Sequence, residues 1–143
     1  MQNYIVRAMH IDDYDAVLAL WNASLTSVRP LEDSRESIAR YLQRNPGLSV
    51  VAQCEGNIVG TILCGHDGRR GFLYHVAVCE TMRRQGVAQT MLNACIAGLR
   101  SEGINKFSLV AFKHNQLGNA FWGSQGVHIR EDLNYRDCWI TEE

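Results

Sequence analysis

The stretch from Phe72 to Phe112 limits the fold of this chain more than any other. An apolar run, Phe72 to Val78, leads into the basic segment Arg83-Arg84-Gln85-Gly86. A helical pattern then runs from Val87 to Arg100, and a second apolar run spans Lys106 to Phe112. Val87, Met91, Cys95 and Leu99 recur at helical spacing beside Ala88, Leu92 and Ile96, and Glu102-Gly103 ends the pattern. Two apolar strands joined through a helix lie parallel, with a right-handed crossover.

The flanking segments are read in the same way. Tyr4 to Met9 reads as a strand, and Asp12-Asp13 opens a helix with Val17, Leu18, Trp21 and Leu25 on one face. A loop, Val28 to Glu32, is broken by Pro30. Asp33-Ser34-Arg35-Glu36 has the spacing of a capping box and starts a second helix that reaches about Arg44, where Asn45-Pro46-Gly47 stops it. A β-meander follows: Leu48 to Cys54, a turn at Glu55-Gly56-Asn57, Ile58 to Cys64, a longer turn, and Phe72 to Val78. After the parallel unit come a short helix, Gln116 to Gln125, and a closing hairpin of Val127 to Arg130 with Tyr135 to Thr141. The expectation is one α/β domain over residues 1–143, without repeats or linkers.

Composition removes several classes of function. A 143-residue chain with 46% hydrophobic residues can bury one continuous core. Its formal net charge of −1 argues against a nucleic-acid partner. No apolar run is long enough for a helix to cross a membrane, and Met1-Gln2-Asn3-Tyr4 lacks a signal-peptide layout, so a cytoplasmic protein is expected. Cys54, Cys64, Cys79, Cys95 and Cys138 are odd in number and form no C-x-x-C pair, which argues against a disulfide framework or a metal site.

The loop between strand and helix carries the most specific chemistry. Unpaired backbone N–H groups at a helix start, together with the helix dipole, favour an anion. Gly86 lets the backbone approach such an anion closely, and Arg83 and Arg84 can add fork-shaped bonds to phosphate oxygens. The chain has no Gly-Lys-Ser/Thr step for a nucleotide triphosphate and no G-x-G-x-x-G for a dinucleotide.

Three motifs now make the chain resemble the GNAT acyltransferase superfamily. They are Arg83-x-x-Gly86-x-Ala88, the preceding strand Leu73 to Val78, and the downstream set Asn115, Ala120-Phe121-Trp122 and Gly126. The resemblance implies an α/β fold with a mixed, mostly antiparallel sheet and a splayed central parallel strand pair flanked by helices. It also implies acetyl-CoA as acyl donor and an amine as acceptor. The pyrophosphate would sit on Arg83, Arg84, Gln85, Gly86, Val87 and Ala88. The pantetheine arm would lie along Val76, Ala77 and Val78, with Asn115 and Trp122 beside it.

Acyl transfer from a thioester to an amine needs a neutral amine, a stabilised oxyanion and a protonated leaving thiol. A backbone N–H between Val76 and Val78 is the expected oxyanion donor. Many relatives use a Tyr as acid at the position of Trp122, and some a Glu at that of Phe72. Indole is no usable acid and Phe no base, so Tyr74 and Tyr135 become the candidate acids, or the thiolate leaves unassisted because its pKa is accessible. Strict alternation places Phe72, Tyr74, Val76 and Val78 on one face and His75 on the other, so only one of Tyr74 and His75 would face an acceptor groove.

Asp33 reads as a helix cap. Glu32, in a loop that forms one wall of the acceptor site in relatives, reads as an attractor or proton relay for a cationic amine. Arg29 there would suit a substrate carboxylate. A site without an obvious base fits a low-pKa amine, because a lysine amine (pKa ~10.4) is neutral only about once in a thousand near neutral pH. An acyl-CoA sensor that has lost its chemistry is the alternative, motivated by Trp122 and Phe72. A homodimer through an exposed final strand is a further expectation.

Overall fold

The computed structural model describes residues 3–141, which fall into two compact units that meet in sequence between Leu109 and Val110. The first unit holds a sheet of five strands in the order β1-β2-β3-β4-β5. These are β1 Ile5–Ala8, β2 Val50–Cys54, β3 Asn57–His66, β4 Gly71–Val78 and β5 Phe107–Ser108. Neighbours from β1 to β4 pair antiparallel, and β4 pairs parallel with β5. The sheet is therefore mixed and mostly antiparallel, as the resemblance implies. The helices of this unit are α1 Tyr14–Ser24, α2 Arg35–Arg44 and α3 Val87–Ser101.

Each helix follows from its sequence. Val17, Leu20 and Trp21 make the buried stripe of α1, and they pack with Ile38 of α2 against Val51, Leu63 and Ala77 of the sheet. A bidentate pair between Arg7 and Asp13, 2.8 and 2.9 Å long, ties β1 to the turn that enters α1. On the opposite face of the sheet, α3 buries Val87, Met91, Leu92, Cys95 and Leu99. It lies so close that a Cβ at Gly60 would stand 2.9 Å from Met91 Cε, and one at Gly71 the same distance from Leu99 Cδ1.

The second unit contains α4, Gln116–Ser124. Asn115 caps it, its side chain accepting a hydrogen bond from Gly118 N–H at 3.0 Å.

Four expectations change. The closing hairpin is absent: among the described residues, those from Val127 to Thr141 form no strand. The dimer contact imagined through its last strand therefore loses its basis, and the parallel pair lies at one end of the sheet. The strand expected over Lys106 to Phe112 shrinks to Phe107–Ser108, with Val110 and Phe112 more than half exposed at 56% and 51%. The cap of α2 is Ser34, whose Oγ accepts from Ser37 N–H at 3.2 Å, and not Asp33. The fourth change, in the side-chain alternation of β4, shapes the site.

Candidate active site

The ladder between β4 and β5 consists of Gly71 with Phe107 and Phe72 with Ser108. From Leu73 to Val78 the outer edge of β4 has no β5 partner, so the two strands part as β4 runs toward the basic loop. A strand edge freed in this way offers backbone groups to an extended ligand.

The loop beyond β4 turns sharply. Arg84 has φ of 63° and Gly86 φ of 78°, both left-handed, and Gly86 is the N-cap of α3 without a side-chain cap. Arg84 is unusual there, since only a few per cent of residues with a Cβ adopt that region. Tyr4 braces the loop from β1's side, its hydroxyl 3.4 Å from Gln85 O and 2.9 Å from Thr90 Oγ1. Thr90 Oγ1 in turn donates to Gly86 O at 2.9 Å. The first turn of α3 carries no acidic residue, and the Arg83 and Arg84 side chains, both exposed, have no hydrogen-bond or ion-pair partner among the described residues. Unpaired N–H groups, a helix dipole and free guanidiniums at one helix start favour an anion.

Upstream, β4 carries a bulge. Tyr74 pairs with Leu63 and Ala77 with Thr61, so His75 and Val76 together oppose Ile62. His75 takes φ of 48° there. A bulge of this kind breaks the two-residue alternation and re-aims a side chain. Tyr74 stays on the face of α1 and α2, its ring tilted against Phe72 (ring centroids 4.5 Å apart) and edge-on to Tyr41 of α2 (6.2 Å). His75 now joins that face, its ring edge-on to Trp21 at 4.7 Å. The expectation that Tyr74 and His75 point to opposite faces is thus overturned. Val78, paired with Gly60, lies on the α3 side.

Polar groups hold the bulge. Trp21 Nε1–H donates to Thr61 Oγ1 at 2.9 Å, and that hydroxyl donates to the His75 carbonyl at 3.0 Å. The His75 ring meets Asp33, Nε2 to Oδ1, at 2.9 Å, with both side chains largely buried at 11% and 6% exposure. The other carboxylate oxygen of Asp33 accepts from Arg29 N–H at 2.8 Å. Buried carboxylates persist where partners of this kind satisfy them.

A cavity of about 240 Å³ opens beside this pair, lined by Tyr14, Leu18, Asn22, Arg29 and Asp33 among others. Tyr14 Oη donates to the Asp33 carbonyl at 2.6 Å and stiffens the wall. Burial in that wall is the main reason the Tyr14 hydroxyl is pushed above its ordinary pKa, aided by the Asp33 charge. Glu32, exposed in the adjoining turn, does not line the cavity. The carboxylate there belongs to Asp33, and reading that residue as a cap hid it. No local spacing joins Asp33 to His75, which lie 42 positions apart.

Of the remaining candidates, Asn115 caps α4, Trp122 is buried within that helix edge-on to Phe121, and Tyr135 is 70% exposed outside any helix or strand.

The chain matches the model of the acetyltransferase (GNAT) family over residues 14–127. An acetyltransferase of Pectobacterium atrosepticum is 33% identical over 110 residues, 77% of each chain. Among solved structures, Ard1 from Thermoplasma volcanium superposes with a TM-score of 0.77 at 21% identity, over 86% of this chain and 81% of that one. The PaiA N-acetyltransferase from Thermoplasma acidophilum, solved in complex with coenzyme A, gives 0.73 at 14% identity over 86% and 88%. The chain belongs to the GNAT acetyltransferase family.

Proposed function

We propose that this chain transfers the acetyl group of acetyl-CoA to a primary amine of a small molecule or peptide, by direct attack of the amine on the thioester. One observation carries the reading. The unaccompanied edge of β4 leads, through one 3-10 turn over Glu80–Met82, into a loop with Arg84 and Gly86 left-handed and the N-terminus of α3 uncapped by any side chain. A pantetheine arm and its pyrophosphate, joined end to end, need such an edge and such a loop in succession. The complex of the PaiA relative with coenzyme A supports the same donor.

In this reading Arg83, Arg84, Gln85, Gly86, Val87 and Ala88 hold the pyrophosphate, and Val76, Ala77 and Val78 pair with pantetheine and supply the oxyanion donor. Asn115 and Trp122 enter as cofactor contacts through the sequence motif. Tyr74, on the α1 and α2 face and 46% exposed, is the first candidate acid for the leaving thiolate. Tyr135 and Glu32 stay as alternatives for proton transfer. All of these belong to a single acyltransferase domain.

The test combines calorimetry with thiol release. Arg84→Glu puts a negative charge on the loop and is expected to raise the CoA dissociation constant at least tenfold; an unchanged constant refutes the loop assignment. Release of free thiol from acetyl-CoA across a panel of primary amines tests the reaction itself. Tight CoA binding with no turnover of any amine would select the sensor reading that Trp122 and Phe72 motivate.

A further inference from the structure

We propose that His75 is the base that takes the proton from the acceptor amine, with Asp33 as the positioning residue that gives its ring the required tautomer. The inference deepens the acetyl-transfer reading and rests on it. Its starting point is the 2.9 Å contact between His75 Nε2 and Asp33 Oδ1. A carboxylate can only accept a hydrogen bond, so Nε2 carries a proton, and in the neutral ring the lone pair is on Nδ1.

Nδ1 has no hydrogen-bond partner among the described residues, yet the one buried side-chain N or O atom lacking a partner there is Tyr41 Oη. The lone pair of Nδ1 is therefore reachable from solvent, although the ring is mostly covered. The hydrogen-bond and ring partners of His75 are Asp33, Trp21 of α1 and, at its carbonyl, Thr61 of β3, and of these only Asp33 is ionisable. The same logic of carboxylate, imidazole and nucleophile operates in hydrolase triads, where the carboxylate fixes the tautomer and does not itself take the proton.

Position supports the role. His75 sits at the bulge of β4, next to Val76, where the thioester carbonyl would lie in the proposed reaction. Asp33 links the ring to the wall of the cavity that opens on α1. The step balances simply. An ammonium gives one proton to Nδ1, forming an imidazolium and a neutral amine. The amine then attacks the thioester carbon and the C–N bond forms. On collapse the C–S bond breaks, Tyr74 gives its proton to the departing thiolate and regains one from the amine nitrogen, and the imidazolium releases its proton to water.

The experiment compares wild type, His75→Gln and Asp33→Asn across primary amines of graded basicity, with CoA affinity measured in parallel. His75→Gln is expected to lower kcat/KM by roughly a hundredfold or more for strongly basic amines. Most of that loss should vanish for acceptors already neutral at the assay pH, such as hydroxylamine. Asp33→Asn should lose roughly tenfold with the same dependence on basicity, and both variants should bind CoA like wild type. A loss of equal size for all amines, or none, overturns the base assignment and leaves acetyl transfer intact. A wild type that binds CoA and acetylates no amine overturns both. A second variant, His75→Ala, is read for rescue: a rate that rises with added imidazole supports the base, and a rate indifferent to it refutes it.

Discussion

Replacing Thr61 by Val tests whether the polar network holds the β4 bulge. Val matches Thr in shape, so the substitution leaves no cavity and changes only the hydroxyl. Thr61 is fully buried, and its hydroxyl joins Trp21 Nε1–H at 2.9 Å to the His75 carbonyl at 3.0 Å. Its loss strands one buried donor and one part-buried acceptor; a buried group left unsatisfied costs about 1–3 kcal/mol, and the part-buried one costs less. The variant should therefore lose about 1.5–5 kcal/mol, a drop in melting temperature of roughly 5–15 °C for a chain of this size. Urea unfolding followed by tryptophan fluorescence measures this, with an unchanged slope showing that only stability has moved. Thr61→Ser serves as control. It keeps the hydroxyl and loses one methyl, so it should lie within about 1–1.5 kcal/mol of wild type. A Val variant no less stable than the Ser variant would refute the argument, because the indole and the carbonyl would then have found other partners.

Two further outcomes follow from the helices. Ser34→Ala should cost about 1 kcal/mol by removing the side-chain acceptor at the start of α2, read as a lower urea midpoint with unchanged slope. The acid response should depend on Asp13, whose carboxyl is held below the usual range by its hydrogen bonds with Arg7 and then with His10 N–H, against the opposing effect of burial. A depressed folded pKa gives stability that is present above the unfolded value near ~3.9 and lost as pH falls through the folded one. Asp13→Asn should thus be clearly less stable than wild type at neutral pH, with the gap closing in strong acid; a gap independent of pH would contradict the assignment.

The parts of the fold that sequence disclosed are those written in local chemistry. The α3 stripe, the Asn45-Pro46-Gly47 stop and the loop from Arg83 to Gly86 depend on residues within one or two turns of each other. The errors arise where a distant partner decides. The apolar run after Lys106 resembles a strand whether or not a neighbour pairs with it, and only Phe107 and Ser108 have one. Asp33 and Ser34 are adjacent acceptors equally able to cap, and Ser34 takes the role by adopting extended φ and ψ of −64° and 158°. That leaves Asp33 to turn inward, toward a histidine that alternation had assigned to the other face.

A bulge absorbs one residue without moving the pairing on either side of it. Removing one residue of the His75-Val76 pair would leave Tyr74 opposite Leu63 and Ala77 opposite Thr61, as they are now. For the architecture of the sheet, then, one residue of β4 is surplus. The chain nevertheless retains it, accepts a left-handed backbone at a residue with a Cβ, and commits an indole, a hydroxyl and a buried carboxylate to keeping it in place. The strand thus carries a supernumerary residue, which in the proposed reaction serves to set the His75 ring beside the cavity rather than to complete the sheet.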